Sequence, residues 1–194
     1  MKVVYEYSHL GGSEILKVNY PSQNQEIYDV IAAVRAQRTK KSKEKTMKGR
    51  MLYSPKAINK EFKEAFGERG YREIRDKYTI TIPGSDISIK GAFKQVDFVK
   101  DKIFIEVQMG KYAFMFYDVA KFQYFFNDGK AKVGVEIVPA HSLQTEMSSG
   151  VSYGEALIYD IERLKRHFPS VPIKVMLIDD DSVEGLHRVL DSSE

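Results

Sequence analysis

The stretch Val96-Asp97-Phe98-Val99-Lys100-Asp101-Lys102-Ile103-Phe104-Ile105-Glu106-Val107-Gln108 decides how the rest of the chain is read. Apolar residues flank the charged triplet Lys100-Asp101-Lys102, which predicts two short strands, over 95–99 and 103–107, joined by a turn. Side chains alternate along a strand, so Glu106 and Gln108 face one way while Ile105 and Val107 face the other. The apolar face is expected to be buried, and a carboxylate and an amide standing beside it need partners. The turn can fold Asp97 back beside Glu106. Two carboxylates brought together repel unless a cation lies between them. Hard oxygen ligands with no His or Cys nearby favour magnesium. A hairpin whose carboxylates are merely solvated is the competing reading, because Asp97, Glu106 nine positions later and Gln108 form a sparse pattern on their own.

The chemistry open to such a set is metal-assisted phosphodiester hydrolysis, in which the ion activates a water and neutralises charge on the scissile phosphate. Gln108 does not titrate near neutral pH, so it can orient the water or the phosphate but cannot act as a base.

The pattern on either side of this segment is that of an α/β fold. Val3–Tyr7 alternates as an edge strand does. Ser22 with Gln25 has capping-box spacing ahead of Ile27, Val30, Ile31 and Val34. Ser54-Pro55 starts a second helix with Ile58, Phe62 and Phe66 on one face, and Gly67 and Gly70 punctuate its end. Tyr78–Ile82 alternates and stops at Pro83-Gly84. A helix is predicted over 113–126, burying Met115, Val119, Phe122 and Phe126. The aromatic run 122–126 reads as core plus a possible dimer face. A strand follows over Val133–Val138. Ser152 and Glu155 suggest another capping box, before Leu157, Ile161, Leu164 and Phe168. Ile173–Ile178 is nearly all apolar, as suits a sheet interior. Helices on both sides of a mixed central β-sheet, in one domain spanning 1–194 with an acidic tail from about 179, is the expected architecture.

Composition narrows the function. The chain has 194 residues and no cysteine, which excludes disulfides, thiolate zinc sites and cysteine nucleophiles. The start shows no signal-peptide pattern and no segment has the length of a membrane span, so a cytoplasmic protein with no membrane partner is expected. His9, His141, His167 and His187 are scattered and read as structural or surface residues. There is no phosphate-binding loop or GxSxG, and no organic cofactor is expected. The net charge is +3, yet residues 35–50 carry eight basic residues against the single acid Glu44. A concentrated basic stretch is the footprint of a polyanion partner, although a solvated lysine-rich loop has the same composition. Asp179-Asp180-Asp181 reads as solvated acids on the tail.

These residues taken together resemble the PD-(D/E)xK nucleases, in the variant form of the BglII and BstYI type II restriction endonucleases. The blocks that carry the resemblance are Thr39-Lys-Lys-Ser-Lys-Glu-Lys-Thr46, Leu52-Tyr-Ser-Pro55, Asp97-Phe-Val-Lys-Asp101, Ile105-Glu-Val-Gln108 with Gly110-Lys-Tyr112, Val133-Gly-Val-Glu-Ile137 and Glu146-Met-Ser-Ser-Gly150. They cover most of the chain in one order. Val96 stands where the general motif has proline and Gln108 where it has lysine; both departures suit this subgroup.

The resemblance implies Mg2+ held by Asp97, Glu106 and the Val107 backbone carbonyl, with Gln108 and Glu73 at the catalytic centre. The competing reading of Glu73 is a solvated charge in a helix-to-strand connection. It implies a homodimer on double-stranded DNA, cutting a GATC-centred palindrome (RGATCY- or AGATCT-like) to leave five-prime overhangs. A two-fold dimer reads a palindrome and brings one site to each strand. Lys111, Ser148 and Ser149 are then placed at base edges, and Lys40, Lys41, Lys43 and Lys45 at phosphates. The alternatives are a DNA-binding module with a decayed site, which retention of all three catalytic positions argues against, and a structure-specific repair nuclease of the same fold.

Overall fold

Runs of apolar residues form the centre of the sheet. In the computed structural model, which describes residues 1–181, β6 (Ile103–Val107), β7 (Val133–Pro139) and β8 (Ile173–Asp179) are buried along their whole length. Strands covered on both faces have this composition, and the three run parallel. Strand β1 (Lys2–His9) pairs antiparallel with β8 at one edge. On the other side β5 (Ser88–Lys100) and β4 (Arg72–Thr81) continue antiparallel, so the six-stranded order is β1-β8-β7-β6-β5-β4. The expected mixed α/β architecture is observed.

Helices α1 (Gly12–Asn19), α2 (Pro21–Ala33) and α3 (Pro55–Glu68) cover one face, where Leu16, Ile27, Val30, Ile58, Phe62 and Phe66 meet Ile105, Val107, Val135 and Ile137. Helices α4 (Tyr112–Asn127) and α6 (Gly154–Leu164) cover the other. There Met115, Val119, Phe122, Phe125, Leu157 and Ile161 meet Phe104, Val138, Val175 and Leu177. Between β7 and α6 runs the short α5 (His141–Gln144). Because Ile105 and Val107 belong to the first face, Glu106 emerges on the second, beneath α4. Gly134 lets α4 come close: a Cβ there would lie 2.6 Å from the Phe122 ring.

Several local expectations change in three dimensions. The helix expected to begin at Ser22 is capped by Tyr20, with Pro21 in its first turn and no side-chain cap. Ser152 does not cap α6 either; Tyr153 holds that position, and Glu155 instead accepts the His141 backbone N–H at 3.0 Å. Ser54 does cap α3, accepting from the Ala57 N–H at 3.3 Å. On α4 the buried aromatic is Phe125 rather than Phe126, which is half-buried, and Leu164 of α6 is exposed. The basic stretch is ordered as a small hairpin, β2 (Lys40–Lys41) against β3 (Met51–Leu52), with a 3-10 turn over Lys45–Met47.

The acidic run is not a solvated tail at its start. Asp179 closes β8 and is buried against the Ser142 hydroxyl, Asp180 accepts from the Tyr53 hydroxyl at 2.6 Å, and Asp181 pairs with the N-terminal amine at 3.3 Å. The rest of the expected tail, 182–194, and with it His187, lies outside the described residues. His9 is buried with a ring nitrogen 2.7 Å from the Pro169 carbonyl, a structural role. Among the described residues no helix is long and apolar enough to cross a membrane.

Candidate active site

Glu106 pairs in register with Glu136 on the parallel neighbour β7. Adjacent strands lie roughly 4.8 Å apart, so both carboxyl groups stand side by side on the α4 face. Glu106 is 3% exposed and Glu136 is 0% exposed. Helix α4 turns Asp118 and Lys121, one turn apart, down onto them. The Lys121 ammonium makes a short ion pair with Glu106 Oε1, and lies 2.8 Å from Asp118 Oδ1 and 3.1 Å from the Gln95 carbonyl. Gln108 Nε2 donates to Asp118 Oδ2 at 3.0 Å, and its backbone N–H donates to the Ile137 carbonyl at 3.0 Å. Neither carboxylate oxygen of Glu136 has a hydrogen-bond partner among the described residues.

The electrostatics follow from burying three acids, Glu106, Asp118 and Glu136, around one base, with the half-buried Asp97 nearby. Burial, then the Asp118 charge, pushes Glu106 up to about 9; Lys121 pulls it back and Asp97 adds to the push. Burial also raises Asp118 against the pull of Lys121 and Gln108. Glu136 is raised well above the carboxylate range by burial, then by Asp118 and Glu106. Burial works against the Lys121 ammonium, but Glu106 and Asp118 outweigh it and hold it above the ordinary lysine range. A firmly charged ammonium and two carboxyls that both lean toward neutrality are reconciled if the carboxyls titrate as a pair.

The residues singled out from the sequence fall into two groups. Asp97, on β5, is half-buried and its charge reaches Glu106, Asp118 and Glu136. It also lines a cavity of ≈ 240 Å³ together with Glu73, Tyr71, Asn59 and Lys63. Glu73 is not in a helix-to-strand connection but on β4, where its carboxylate accepts from Gln95 Nε2 at 2.9 Å. Gln95 therefore connects Glu73, through its side chain, to Lys121, through its carbonyl. Val107 pairs with Ile137 beside the same site. Asp97, Glu106, Gln108 and Glu73 are thus assembled in one region.

The second group lies around the end of β6. Lys111 is exposed at the N-cap of α4. The neighbouring Gly110 carbonyl accepts the Ser152 N–H at 2.8 Å, which draws the 148–152 loop against it. Ser149 donates its backbone N–H to the Glu44 carboxylate at 3.2 Å, and Arg38 and Arg50 grip Glu146 at 2.5 and 2.7 Å. The basic hairpin, the Ser148-Ser149 loop and Lys111 are therefore one continuous surface. Arg38 and Arg50 spend their charge inside it, whereas Lys41, Lys43 and Lys45 are exposed. The backbone of Lys40 pairs with Leu52, and its side chain lies outside the described set.

Asp118, Lys121 and Glu136 are the site residues that sequence reasoning passed over. The signal was present. Asp118 and Lys121 interrupt the apolar face of α4 at a spacing of three, and Glu136 is the only charge in the apolar run of β7. Charges on faces that must be buried ask for partners.

A mixed sheet with a parallel centre, covered by helices on both faces and carrying paired carboxylates on a β5–β6 hairpin, defines a restriction-endonuclease-like protein. The model of the family described as restriction endonuclease BglII/BglIII matches residues 4–178, so the chain belongs to that family, and it is a type II site-specific deoxyribonuclease. Among solved structures, the restriction endonuclease BglII complexed with a DNA 16-mer is similar with a TM-score of 0.70 and 20% identity, covering 94% of this chain and 81% of that chain. Free BglII is similar with a TM-score of 0.64 and 19% identity, over 94% and 82%. No curated protein matches the chain.

Restriction endonucleases of this family use a divalent metal ion. The residues present fit one. The donors are hard oxygens, and the Glu136 carboxyl beside Glu106 is unpartnered. Among the described residues no group of three or more His, Asp or Glu side chains is arranged to hold a metal ion; an ion held by one or two carboxylates and a substrate phosphate needs no such group.

Proposed function

We propose that the enzyme is a Mg2+-dependent endonuclease of double-stranded DNA, cutting at a GATC-centred palindrome, RGATCY- or AGATCT-like, and leaving five-prime overhangs. In this reading it works in the cytoplasm as a homodimer of single-domain subunits. The observation that carries the proposal is the convergence of Asp97, Glu106 and Gln108 beside a continuous surface formed by Lys111, the Ser148-Ser149 loop and the basic hairpin. That BglII has been seen with a DNA 16-mer supports duplex DNA as the substrate.

Asp97, Glu106 and the Val107 carbonyl would hold the ion. When bound, it supplies Lewis-acid activation of water and neutralises phosphate charge. The other steps belong to the chain. Gln108, fixed by Asp118 at 3.0 Å, presents its remaining amide groups to water or phosphate as an orienting group. Glu73 stands behind Asp97 across the shared cavity and holds Gln95. Lys111, Ser148 and Ser149 read base edges; Lys40, Lys41, Lys43 and Lys45 hold phosphates and set the register.

The test is incubation with unmethylated plasmid DNA and Mg2+, followed by sequencing of the ends. Discrete fragments ending at a GATC-centred site support the reading. A smear, or cutting governed by DNA structure rather than sequence, overturns the specificity, and absence of any cutting overturns the mechanism.

A further inference from the structure

Lys121 is placed as a bound cation would be. Its ammonium gathers three oxygens from three elements: Glu106 Oε1 on β6, Asp118 Oδ1 on α4 at 2.8 Å and the Gln95 carbonyl on β5 at 3.1 Å. Two carboxylates and a carbonyl are the hard-oxygen set that a divalent ion takes. An ammonium has three N–H donors, so each is used. The side chain is only 11% exposed, and the side chains of Glu106 and Asp118 are 4% and 3% exposed. Without a cation in their midst, the buried Glu106, Asp118 and Glu136 would be opposed to one another and to the half-buried Asp97.

We propose that Lys121 is a tethered cation that holds the site together in the metal-free enzyme, keeping Glu106 and, through Asp118, Gln108 in their working positions, and that it gives up Glu106 when a divalent ion binds. This rests on the reading of Asp97 and Glu106 as the metal-binding carboxylates. Lys121 is a positioning residue with a way out. Its stem is flexible, and the half-exposed Tyr117 ring lies 5.8 Å from the ammonium, a face that accepts a cation. On release it keeps its partner Asp118 on its own helix.

Competition for Glu106 gives the inference its signature. Replacing Lys121 by Met removes the cation the site relies on when empty, but also removes the metal ion's competitor. Metal-free Lys121→Met should therefore melt below wild type, and Ca2+ should restore more of its stability than it adds to wild type. Calorimetric titration should show Ca2+ binding Lys121→Met roughly tenfold tighter, a usual size for two ligands coupled at one site. Lys121→Arg, which keeps the charge, should stay close to wild type in both measurements.

Should Lys121→Met fail to fold without metal, Lys121→Met/Asp118→Asn removes one opposed charge and should fold metal-free. It should still bind Ca2+ more tightly than Asp118→Asn alone. Equal or weaker Ca2+ binding after loss of Lys121, with wild type responding to the ion, overturns the inference and leaves the metal site standing. Absence of any Ca2+ response in wild type and variants alike overturns both.

Discussion

At the scale of single residues, the costly feature is Glu136, a fully buried carboxyl with no hydrogen-bond partner among the described residues. Burial raises it well above its ordinary value of 4.5, so the folded chain keeps a proton that the unfolded chain loses. Stability from this group is present at acid pH and falls as pH climbs above that value, by about 1.4 kcal/mol for each pH unit over which the two states differ by a full proton. Glu136→Gln keeps the shape without the titration. Its melting temperature in EDTA should drop less between pH 5 and pH 8.5 than that of wild type; parallel curves would show that Glu136 is charged in the fold. Asp97→Asn and Glu106→Gln test the proposed metal-binding carboxylates directly. Each should lower Mg2+-dependent cleavage by more than about a hundredfold, since loss of even a supporting partner of a metal ligand costs roughly 10–100-fold. Specific DNA binding should survive, because each change also removes negative charge near the phosphates. Near-normal cleavage by either variant would rule out the assignment.

At the scale of elements, the approach of α4 to β7 is what brings Asp118 and Lys121 onto Glu106 and Glu136. Gly134 permits it, with room for no Cβ against Phe122 at 2.6 Å. Gly134→Ala should cost about 1–3 kcal/mol in denaturant unfolding, the usual penalty of overpacking, and Phe122→Leu in the same chain should recover part of it. If Gly134→Ala is as stable as wild type, α4 has more freedom than this packing implies. The basic hairpin makes a separate prediction. Lys41, Lys43 and Lys45 are exposed, and so are Arg38 and Arg50, but the two arginines are paired with Glu146. Neutralising the three lysines should weaken binding to every sequence alike and reduce the slope of log affinity against log salt by about 0.9 for each lost phosphate contact. An unchanged slope would make them solvated surface.

At the scale of the whole molecule, the proposed two-fold dimer would use each proposed reading residue twice. Lys111 leaves the end of β6 three positions after Gln108, next to the 148–152 loop. A lysine on a base edge contributes about 1–3 kcal/mol of discrimination at one base pair. Lys111→Ala should relax preference at one symmetric pair of positions in a library randomised across the recognition site, with both half-sites affected. Uniform slowing at all sites would make Lys111 a phosphate contact or a structural residue.

What the sequence determined by itself is whatever depends on neighbours along the chain. Period-two alternation around Lys100-Asp101-Lys102 placed Asp97, Glu106 and Gln108 on a hairpin, and apolar periodicity found the central strands and most helix faces. Ser54-Pro55 marked a helix start that the structure keeps. Ser22 and Ser152 show the same local grammar without the cap, since Pro21 begins one helix earlier and Glu155 is drawn to His141 across the fold. Tyr78–Ile82 showed the outer end of β4 by its alternation, whereas Arg72–Lys77 of β4 and Ser88–Lys94 of β5 are mostly exposed and have no buried apolar face to mark them. Only the tertiary structure set Lys121 between Glu106 and Asp118, and Glu136 beside them. The charge on a lone residue is visible in a sequence. The partner that makes its burial tolerable comes from another element, and burial, which shifts these acids so far, exists only once the helix lies on the sheet.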